Sequence, residues 1–311
     1  LGCVRALGAE VQRTGNSVVI NGRGPKLQAP KAPLDCGNSG STMRMLSGIL
    51  AGQDFASQLT GDESLSRRPM ARIIAPLEMM GAKITSQSGG RPPLQLQGGK
   101  LKAIRYEMPV ASAQVKSCLL FAGLFAGGET SVIEPMRTRD HSELALRAFG
   151  AELTQAARET RIAGGQTLRA IEAAIPGDIS SAAFFLCAAG LFPGAELTIE
   201  DLLMNPTRAR LLDILILLGV GISVTQLEEQ HGELRGTVKV EGRELTGTTI
   251  AGADTAAWID EITVLAAIAT YTEGGMEKRD AREVRGKESA RIPAIAEHGS
   301  DHVRTPGTTN A

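Results

Sequence analysis

The stretch DCGNSGSTMR, residues 35–44, sets two glycines and three hydroxyl side chains ahead of an arginine. Small residues let a backbone come close to a ligand, and the N–H groups at the start of a helix attract anions. Met43, Leu46, Ile49 and Leu50 carry the apolar spacing of such a helix, with Ser41, Thr42 and Arg44 in its first turn. Anion binding is the chemistry this combination fits; an ordinary helix cap with a surface arginine fits it too.

Three other stretches carry comparable equipment. GDESLSRRP, residues 61–69, places Arg67 and Arg68 ahead of Pro69, a favoured first helical residue. PVASAQVKS, residues 109–117, offers Ser112, Gln114 and Lys116, and RGKESARI, residues 285–292, offers Lys287, Glu288 and Arg291. Lys287 and Arg291 are four apart and share one helical face. Asp260 in WIDEI is a candidate base or a charge at a helix N-terminus. Taken singly, each stretch also fits a solvated charged face.

The elements that must hold these residues repeat. Gly8-Ala9-Glu10-Val11, Gly81-Ala82-Lys83-Ile84, Gly150-Ala151-Glu152-Leu153 and Gly219-Val220-Gly221-Ile222 recur at intervals of 73, 69 and 69 residues, a structural period. A helical pattern precedes each glycine: Met70, Ile73, Ile74 and Leu77 before the second, Leu144, Leu146, Ala148 and Phe149 before the third, Leu1 and Val4 before the first. Each glycine is expected to cap a helix and lead into a strand. Strand-like segments then end at a second glycine turn, at Gly22, Gly98-Gly99, Gly164-Gly165 and Gly242. The fold class is α/β, built from one small module copied several times. Both termini fall inside a module, and the expectation is a fragment of a longer protein.

Composition narrows the partners. Lys and Arg total 33 against 34 Asp and Glu, and aromatics are 3%, so neither a phosphate-backbone track nor a base-stacking platform is expected. No stretch approaches the roughly 20 apolar residues of a membrane span. Cys3, Cys36, Cys118 and Cys187 match no metal or redox spacing, and four free buried thiols in a cytoplasmic protein are expected.

In their order and spacing, LDCGNSGSTMRMLSGILAG, GDESLSRRPMARIIAPLEMMGAKI, ASAQVKSCLLFAGLFAGGETSVIEPMRTRDHSE, PGDISSAAFFL, NPTR, WIDEITVLAAIAT and VRGKESARI closely resemble the 5-enolpyruvylshikimate-3-phosphate synthase family over nearly the whole chain. The resemblance implies six βαβαββ units shared between two inside-out barrels, with domains at 1–175 and 176–311 and a hinge near Ile175-Pro176. It implies transfer of the enolpyruvyl group of phosphoenolpyruvate to shikimate-3-phosphate by a monomer that needs no cofactor or metal. Carried over by residue, Ser112, Ala113, Gln114, Thr138, Arg139, Asp260 and Lys287 hold shikimate-3-phosphate. Asn38, Gly40, Arg68, Gln114 and Arg291 hold phosphoenolpyruvate, and Gly40 is bare because a methyl group would intrude on it. Asp260 acts at the attacking hydroxyl, with Lys287 and Glu288 beside it. Related UDP-N-acetylglucosamine enolpyruvyl transferases use a cysteine on a mobile loop as acid, and none of the four cysteines occupies such a loop.

Several family features have no counterpart. A Lys-Ser pair and an arginine would precede Leu1, and an Asp-His-Arg triplet with a later lysine would follow far beyond Arg291; Asp301-His302 with Arg304 lies too close to replace it. Gly286 stands for a valine, Ala290 for an aspartate and Ser41 for a threonine. These departures predict weak or no turnover by this polypeptide alone.

Overall fold

Wherever a helix must turn sharply into a strand, this chain places a glycine, and the backbone there takes the left-handed conformation that side chains resist. A computed structural model describes residues 1–250 and 261–278, which fall into two units, Leu1–Ile171 and Glu172–Ala311. The first unit opens on α1 (Gly2–Ala6) and the hairpin β1 (Glu10–Thr14) and β2 (Ser17–Asn21). A full module follows: β3 (Leu34–Asp35), α2 (Gly40–Ala51), β4 (Ala56–Thr60), α3 (Glu63–Ser66), α4 (Ala71–Met80), β5 (Lys83–Gln87) and β6 (Arg91–Gln97). After β7 (Leu101–Lys102), the next module runs β8 (Arg105–Glu107), α5 (Ala113–Gly123), β9 (Ala126–Gly127), β10 (Glu129–Ile133), α6 (His141–Ala148), β11 (Leu153–Ala156) and β12 (Glu159–Ala163).

The two modules have the same sheet. Strand order is β3-β4-β6-β5 in one and β8-β10-β12-β11 in the other. In both, the first pair is parallel and the rest antiparallel. The second unit repeats the plan with α7 (Ile179–Gly190), β13 (Glu196–Leu203), α8 (Arg210–Leu217), β14 (Gly221–Gln230) and β15 (Glu233–Glu241). Its sheet is β13-β15-β14, and a single parallel bridge from Gly177 to Leu202 stands where β3 and β8 stand in the other modules. β16 (Thr246–Ile250), α9 (Ile262–Ala269) and β17 (Glu273–Lys278) begin another copy, β16 and β17 pairing in parallel. The α/β repeat is thus the expected βαβαββ unit. Among the described residues the strands form separate small sheets and no closed barrel.

The period has a stereochemical cause. Gly8, Gly81, Gly150 and Gly219, which follow α1, α4, α6 and α8, have φ of +94°, +112°, +87° and +93°. The second glycine of three modules works differently. A Cβ at Gly98, Gly164 or Gly242 would lie 2.3 Å from the carbonyl oxygen of Gln53, 1.8 Å from that of Ala126 and 2.0 Å from that of Phe192. The hairpin's exit is therefore laid directly on the C-terminal turn of the module's first helix, and only a hydrogen fits between them.

Some expected faces differ. In α6 the buried positions are Glu143 and Leu146, while Phe149 is exposed; the buried glutamate has a cationic partner described below. In α1 the buried pair is Cys3 and Leu7, four apart, and Leu1 is exposed. Pro69 does not start α4: the Met70 N–H donates to the Gly90 carbonyl at 2.8 Å, which holds the chain outside the helix until Ala71. The division between units falls four residues before the expected hinge. Residues 172–177 are tied to the second unit by Ala174 N–H to Gln230 Oε1 at 3.0 Å, by the Glu172 carbonyl against His231 Nε2 at 2.8 Å and by Gly177 N–H to the Asp201 carbonyl at 2.7 Å.

Candidate functional site

The N-terminus of α2 is assembled from both sides of the parallel pair β3 and β4. Ser39 caps the helix, its Oγ accepting from Thr42 N–H at 3.1 Å. Gly37, at φ +54°, turns the chain, with its N–H on Asp35 Oδ1 at 2.8 Å and its carbonyl taking Asp62 N–H at 2.9 Å. Asp62 in turn caps α3, accepting from Leu65 N–H at 2.8 Å. Its second oxygen accepts from Asn38 Nδ2 at 2.6 Å, and Asn38 Oδ1 accepts from Arg68 Nη2 at 2.6 Å. An acceptor-only carboxylate on one side and a donor-only guanidinium on the other leave Asn38 a single amide orientation. The Leu65 N–H and then the Asn38 amide hold the Asp62 carboxyl below its ordinary range.

Arg44 sits one turn into α2 and reaches the next module. Its Nη1 donates to Gln114 Oε1 at 2.6 Å and its Nη2 to the Pro69 carbonyl at 3.3 Å, while Gln114 Nε2 donates to Ser41 Oγ at 2.7 Å. This closed ring joins the starts of α2 and α5. Ser112 caps α5 through Val115 N–H at 3.4 Å, and Ala113 is the first helical residue. Gly40 lies under the arginines: a Cβ there would be 2.8 Å from Arg44 Nη1 and 3.6 Å from Arg68 Nη1. The methyl group that glycine excludes would meet the guanidinium of Arg44, a more immediate reason for a bare position than contact with a ligand.

Burial first, then the charges of Arg68 and Arg72, push the pKa of Arg44 down. None of these three guanidinium groups forms an ion pair among the described residues. Three like charges that act on one another make a site of positive potential at a helix start, with the Asp62 carboxylate set against it through Asn38. The structure thus brings Asn38, Gly40, Arg68 and Gln114 together, and adds Arg44 and Arg72. Arg44 was visible in the opening stretch; its bond to a side chain 70 residues away was not.

Lys116 is no part of this surface. It is fully buried, with Nζ 3.0 Å from Glu134 Oε2 and 2.7 Å from Glu143 Oε1. Lys116 thus stands between two buried carboxylates, one from just past the end of β10 and one from α6. Glu134 Oε1 also accepts from the N–H of Thr138, at 3.1 Å, and from its hydroxyl. Arg139 follows, half-buried.

Burial pushes the Glu143 carboxyl up, against the pull of Lys116. The folded chain therefore holds that proton more tightly than the unfolded chain. Stability on this account is full below the ordinary glutamate value of about 4.3 and is lost as pH rises through the raised folded value. Glu143→Gln, which keeps the shape without the charge, is expected to match the wild type in melting temperature at pH 4 and exceed it at pH 8. Melting curves across that range check it; a variant less stable at pH 8 would show that ionised Glu143 supports the fold.

In the second unit, Asp178 caps α7. It accepts from Ser180 N–H at 3.3 Å, from Ser181 N–H at 3.1 Å and from Ser181 Oγ at 2.8 Å. Arg208 Nη2 lies 3.0 Å from Asp178 Oδ1 and donates to Ser180 Oγ at 2.6 Å. Ser180 Oγ donates to buried Glu261. Burial raises the Asp178 carboxyl, but Ser181, Ser180 and the Arg208 charge together outweigh it and the net shift is downward. Two stretches noted in the sequence, GDISS and NPTR, thus meet at one helix start. Asp260, Lys287, Glu288 and Arg291 lie outside the described residues.

All four cysteines are free and buried. Burial pushes Cys118 and Cys187 up to about 12, and burial followed by neighbouring Cys3 does the same to Cys36, so these three thiols are poor acids at neutral pH. Among the described residues, no cluster of His, Cys, Asp and Glu could hold a metal ion, and no helix is long and apolar enough to cross a membrane. An open groove along Lys31, Ser57, Lys83, Thr85 and Gln95 is lined by none of the site residues.

The profile of the EPSP synthase (3-phosphoshikimate 1-carboxyvinyltransferase) family matches residues 1–298. The chain is 54% identical to the 3-phosphoshikimate 1-carboxyvinyltransferase of Solibacter usitatus over 299 residues, 96% of this chain and 70% of that protein. It is 54% identical to the enzyme of the same name from Koribacter versatilis over 296 residues, 95% of this chain and 69% of the relative. An EPSP synthase structure from Acinetobacter baumannii superposes with a TM-score of 0.84 at 42% identity, covering 94% of this chain and 67% of the other. The chain thus spans about 70% of the length of these curated relatives. With the repeated βαβαββ module and the arginine-rich start of α2, these likenesses identify the chain as a member of the EPSP synthase family.

Proposed function

We propose that this chain binds shikimate-3-phosphate and phosphoenolpyruvate and acts as a 3-phosphoshikimate 1-carboxyvinyltransferase. The observation that carries the reading is the pair of guanidiniums beside Gly40, those of Arg44 and Arg68, neither of them in an ion pair among the described residues, with Arg44 bonded to Gln114. Phosphoenolpyruvate carries a phosphate and a carboxylate, and Arg68 and Arg44 supply planar donors for such groups. Asn38 is oriented by Asp62 to keep one amide N–H for the ligand. Shikimate-3-phosphate takes the start of α5, with Ser112 and Gln114 at the ring and Arg139 at the phosphate.

In the reaction the 5-hydroxyl adds to the enol carbon of phosphoenolpyruvate, its proton passing to a base, while the methylene gains a proton from an acid. Loss of a proton from the resulting methyl group and departure of phosphate restore the vinyl group on the new ether. Asp260 is assigned to the hydroxyl, Lys287 and Glu288 to the methylene, and Arg291 to the departing phosphate with Arg68. The finer expectations stand with this proposal: domains at 1–175 and 176–311, a monomer, and action in the cytoplasm.

Phosphate release from the two substrates together, with calorimetry on shikimate-3-phosphate alone, tests the reading. Turnover supports it in full; binding without turnover supports a ligand-binding homologue; absence of both rejects it. Gly40→Ala sharpens the test. The methyl group meets the tips of flexible arginines and not backbone, so the melting temperature is expected to hold. Displacing Arg44 from Gln114 removes a hydrogen bond to a charged group, and phosphoenolpyruvate affinity is expected to fall roughly 10- to 100-fold.

A further inference from the structure

We propose that Thr138 is a latch and that the buried pair Lys116–Glu134 positions Arg139, a role that rests on the reading that shikimate-3-phosphate sits at the start of α5. Both polar hydrogens of Thr138 are committed: its N–H donates to Glu134 Oε1 at 3.1 Å, and its hydroxyl donates to the same oxygen. A hydroxyl whose proton is given away can only accept, and a phosphate dianion has no proton to offer. Thr138 therefore does not serve the phosphate as a donor, in contrast to the role the resemblance suggested.

What the interaction does instead follows from its anchor. Glu134 is 1% exposed and its other oxygen accepts from Lys116 Nζ at 3.0 Å. Lys116 belongs to α5, two residues after Gln114 and four after Ser112. Its cation is shared with Glu143, whose Oε1 lies 2.7 Å from Nζ. One buried carboxylate thus ties the backbone immediately before Arg139 to the helix whose first turn carries Ser112 and Gln114. A second tie, Ser117 Oγ to Ser142 Oγ at 2.6 Å, joins the same helix to α6 just beyond the loop. The loop's geometry relative to α5 is set before any ligand arrives. A site whose donors are held in advance binds without the entropy cost of ordering them.

The two roles predict opposite signs for one substitution. If Thr138 were a phosphate donor, Glu134→Gln would free its hydroxyl and remove a negative charge near the phosphate, so shikimate-3-phosphate would bind more tightly. If Thr138 is a latch, the same change loosens the loop and binding weakens. Calorimetry with shikimate-3-phosphate on the full chain is expected to show about a tenfold loss for Glu134→Gln and for Thr138→Val, with recovery in Thr138→Ser. Phosphoenolpyruvate affinity, carried by Asn38, Arg44 and Arg68, should be unchanged within twofold.

Tighter binding in Glu134→Gln, or equal losses for both substrates, would overturn the proposal. Glu143 remains beside Lys116 in that variant; should it nevertheless fail to fold, Glu134→Asp keeps the charge, shortens the reach and carries the same sign test. Amide exchange gives a readout independent of ligand. The Thr138 N–H should be protected in the wild type and lose that protection in Glu134→Gln, whereas the capped start of α5 keeps its own. An unprotected Thr138 amide in the wild type rejects the latch even if shikimate-3-phosphate binds. A protected amide in a chain that binds no shikimate-3-phosphate rejects the substrate reading and the positioning role together, and leaves only a structural tie.

Discussion

Gly48→Ala is expected to lower the melting temperature of the first unit by roughly 6–12 °C, the shift that corresponds to about 3 kcal/mol in a unit of this size. Alanine in the middle of a helix ordinarily stabilises by roughly 0.5–1 kcal/mol relative to glycine, so the sign is the informative part. A Cβ at Gly48 would stand 2.1 Å from the carbonyl oxygen of Cys118, 2.9 Å from its carbonyl carbon and 3.2 Å from its Cα. These are backbone atoms of α5, which cannot swing aside as a side chain would. To admit the methyl group, α2 and α5 must separate along a seam that includes Leu50, Leu119 and Leu120, all buried. Overpacking of this kind typically costs about 1–3 kcal/mol, and rigid backbone on the far side puts Gly48 at the upper end. Gly99→Ala is the control: nothing lies within 4 Å of its Cβ position, and no change is expected. A Gly48→Ala protein that melts within 2 °C of the wild type would mean the helices do not cross here as described.

The largest functional effect is expected from Arg68→Gln. Arg68 touches the site through Asn38, bonded at 2.6 Å, and through its approach to Gly40, and it forms no ion pair among the described residues. Its removal therefore disturbs little of the fold and relieves repulsion on Arg44. Phosphoenolpyruvate binding in the presence of shikimate-3-phosphate is expected to weaken roughly 10- to 100-fold, and any turnover to fall by about 10²–10³, the usual worth of one preorganised donor to developing charge. Arg68→Lys should recover only part of this, because an ammonium cannot present two donors in a plane. The melting temperature should stay within about 2 °C of the wild type, as expected for a substitution outside the core. Calorimetry and phosphate release check the two arms. Unchanged phosphoenolpyruvate affinity in Arg68→Gln would remove this arginine from the site and, with it, the central charge of the proposal.

Those two experiments probe different kinds of information in the chain. Features that depend on local stereochemistry were legible from the order of residues alone. Gly8, Gly81, Gly150 and Gly219 mark the module period because a helix that turns at once into a strand needs positive φ, which glycine adopts without strain. The capped helix start in residues 35–44 was legible because a short side-chain oxygen, here that of Ser39, can reach the N–H groups of the first turn. The arginines near Gly40 could be read as an anion site from residue type.

Which helix faces meet was settled only by tertiary packing. Periodicity placed Phe149 inside and left Glu143 unremarked; the structure buries Glu143 beside Lys116, which comes from another helix. Lys116 looked like a ligand-binding cation for the same reason in reverse, since nothing adjacent to it in the chain reveals two glutamates 18 and 27 residues away. Arg44 and Gln114 and Gly48 and Cys118 are likewise contacts between modules, and Thr138 held through Glu134 to α5 is one between separate elements of a single module. A chain specifies its turns residue by residue, because φ and a capping bond are decided within a few positions. It specifies its polar interior and its binding surface only through the way separate helices pack, where a charge is stable or costly according to what the fold sets opposite it.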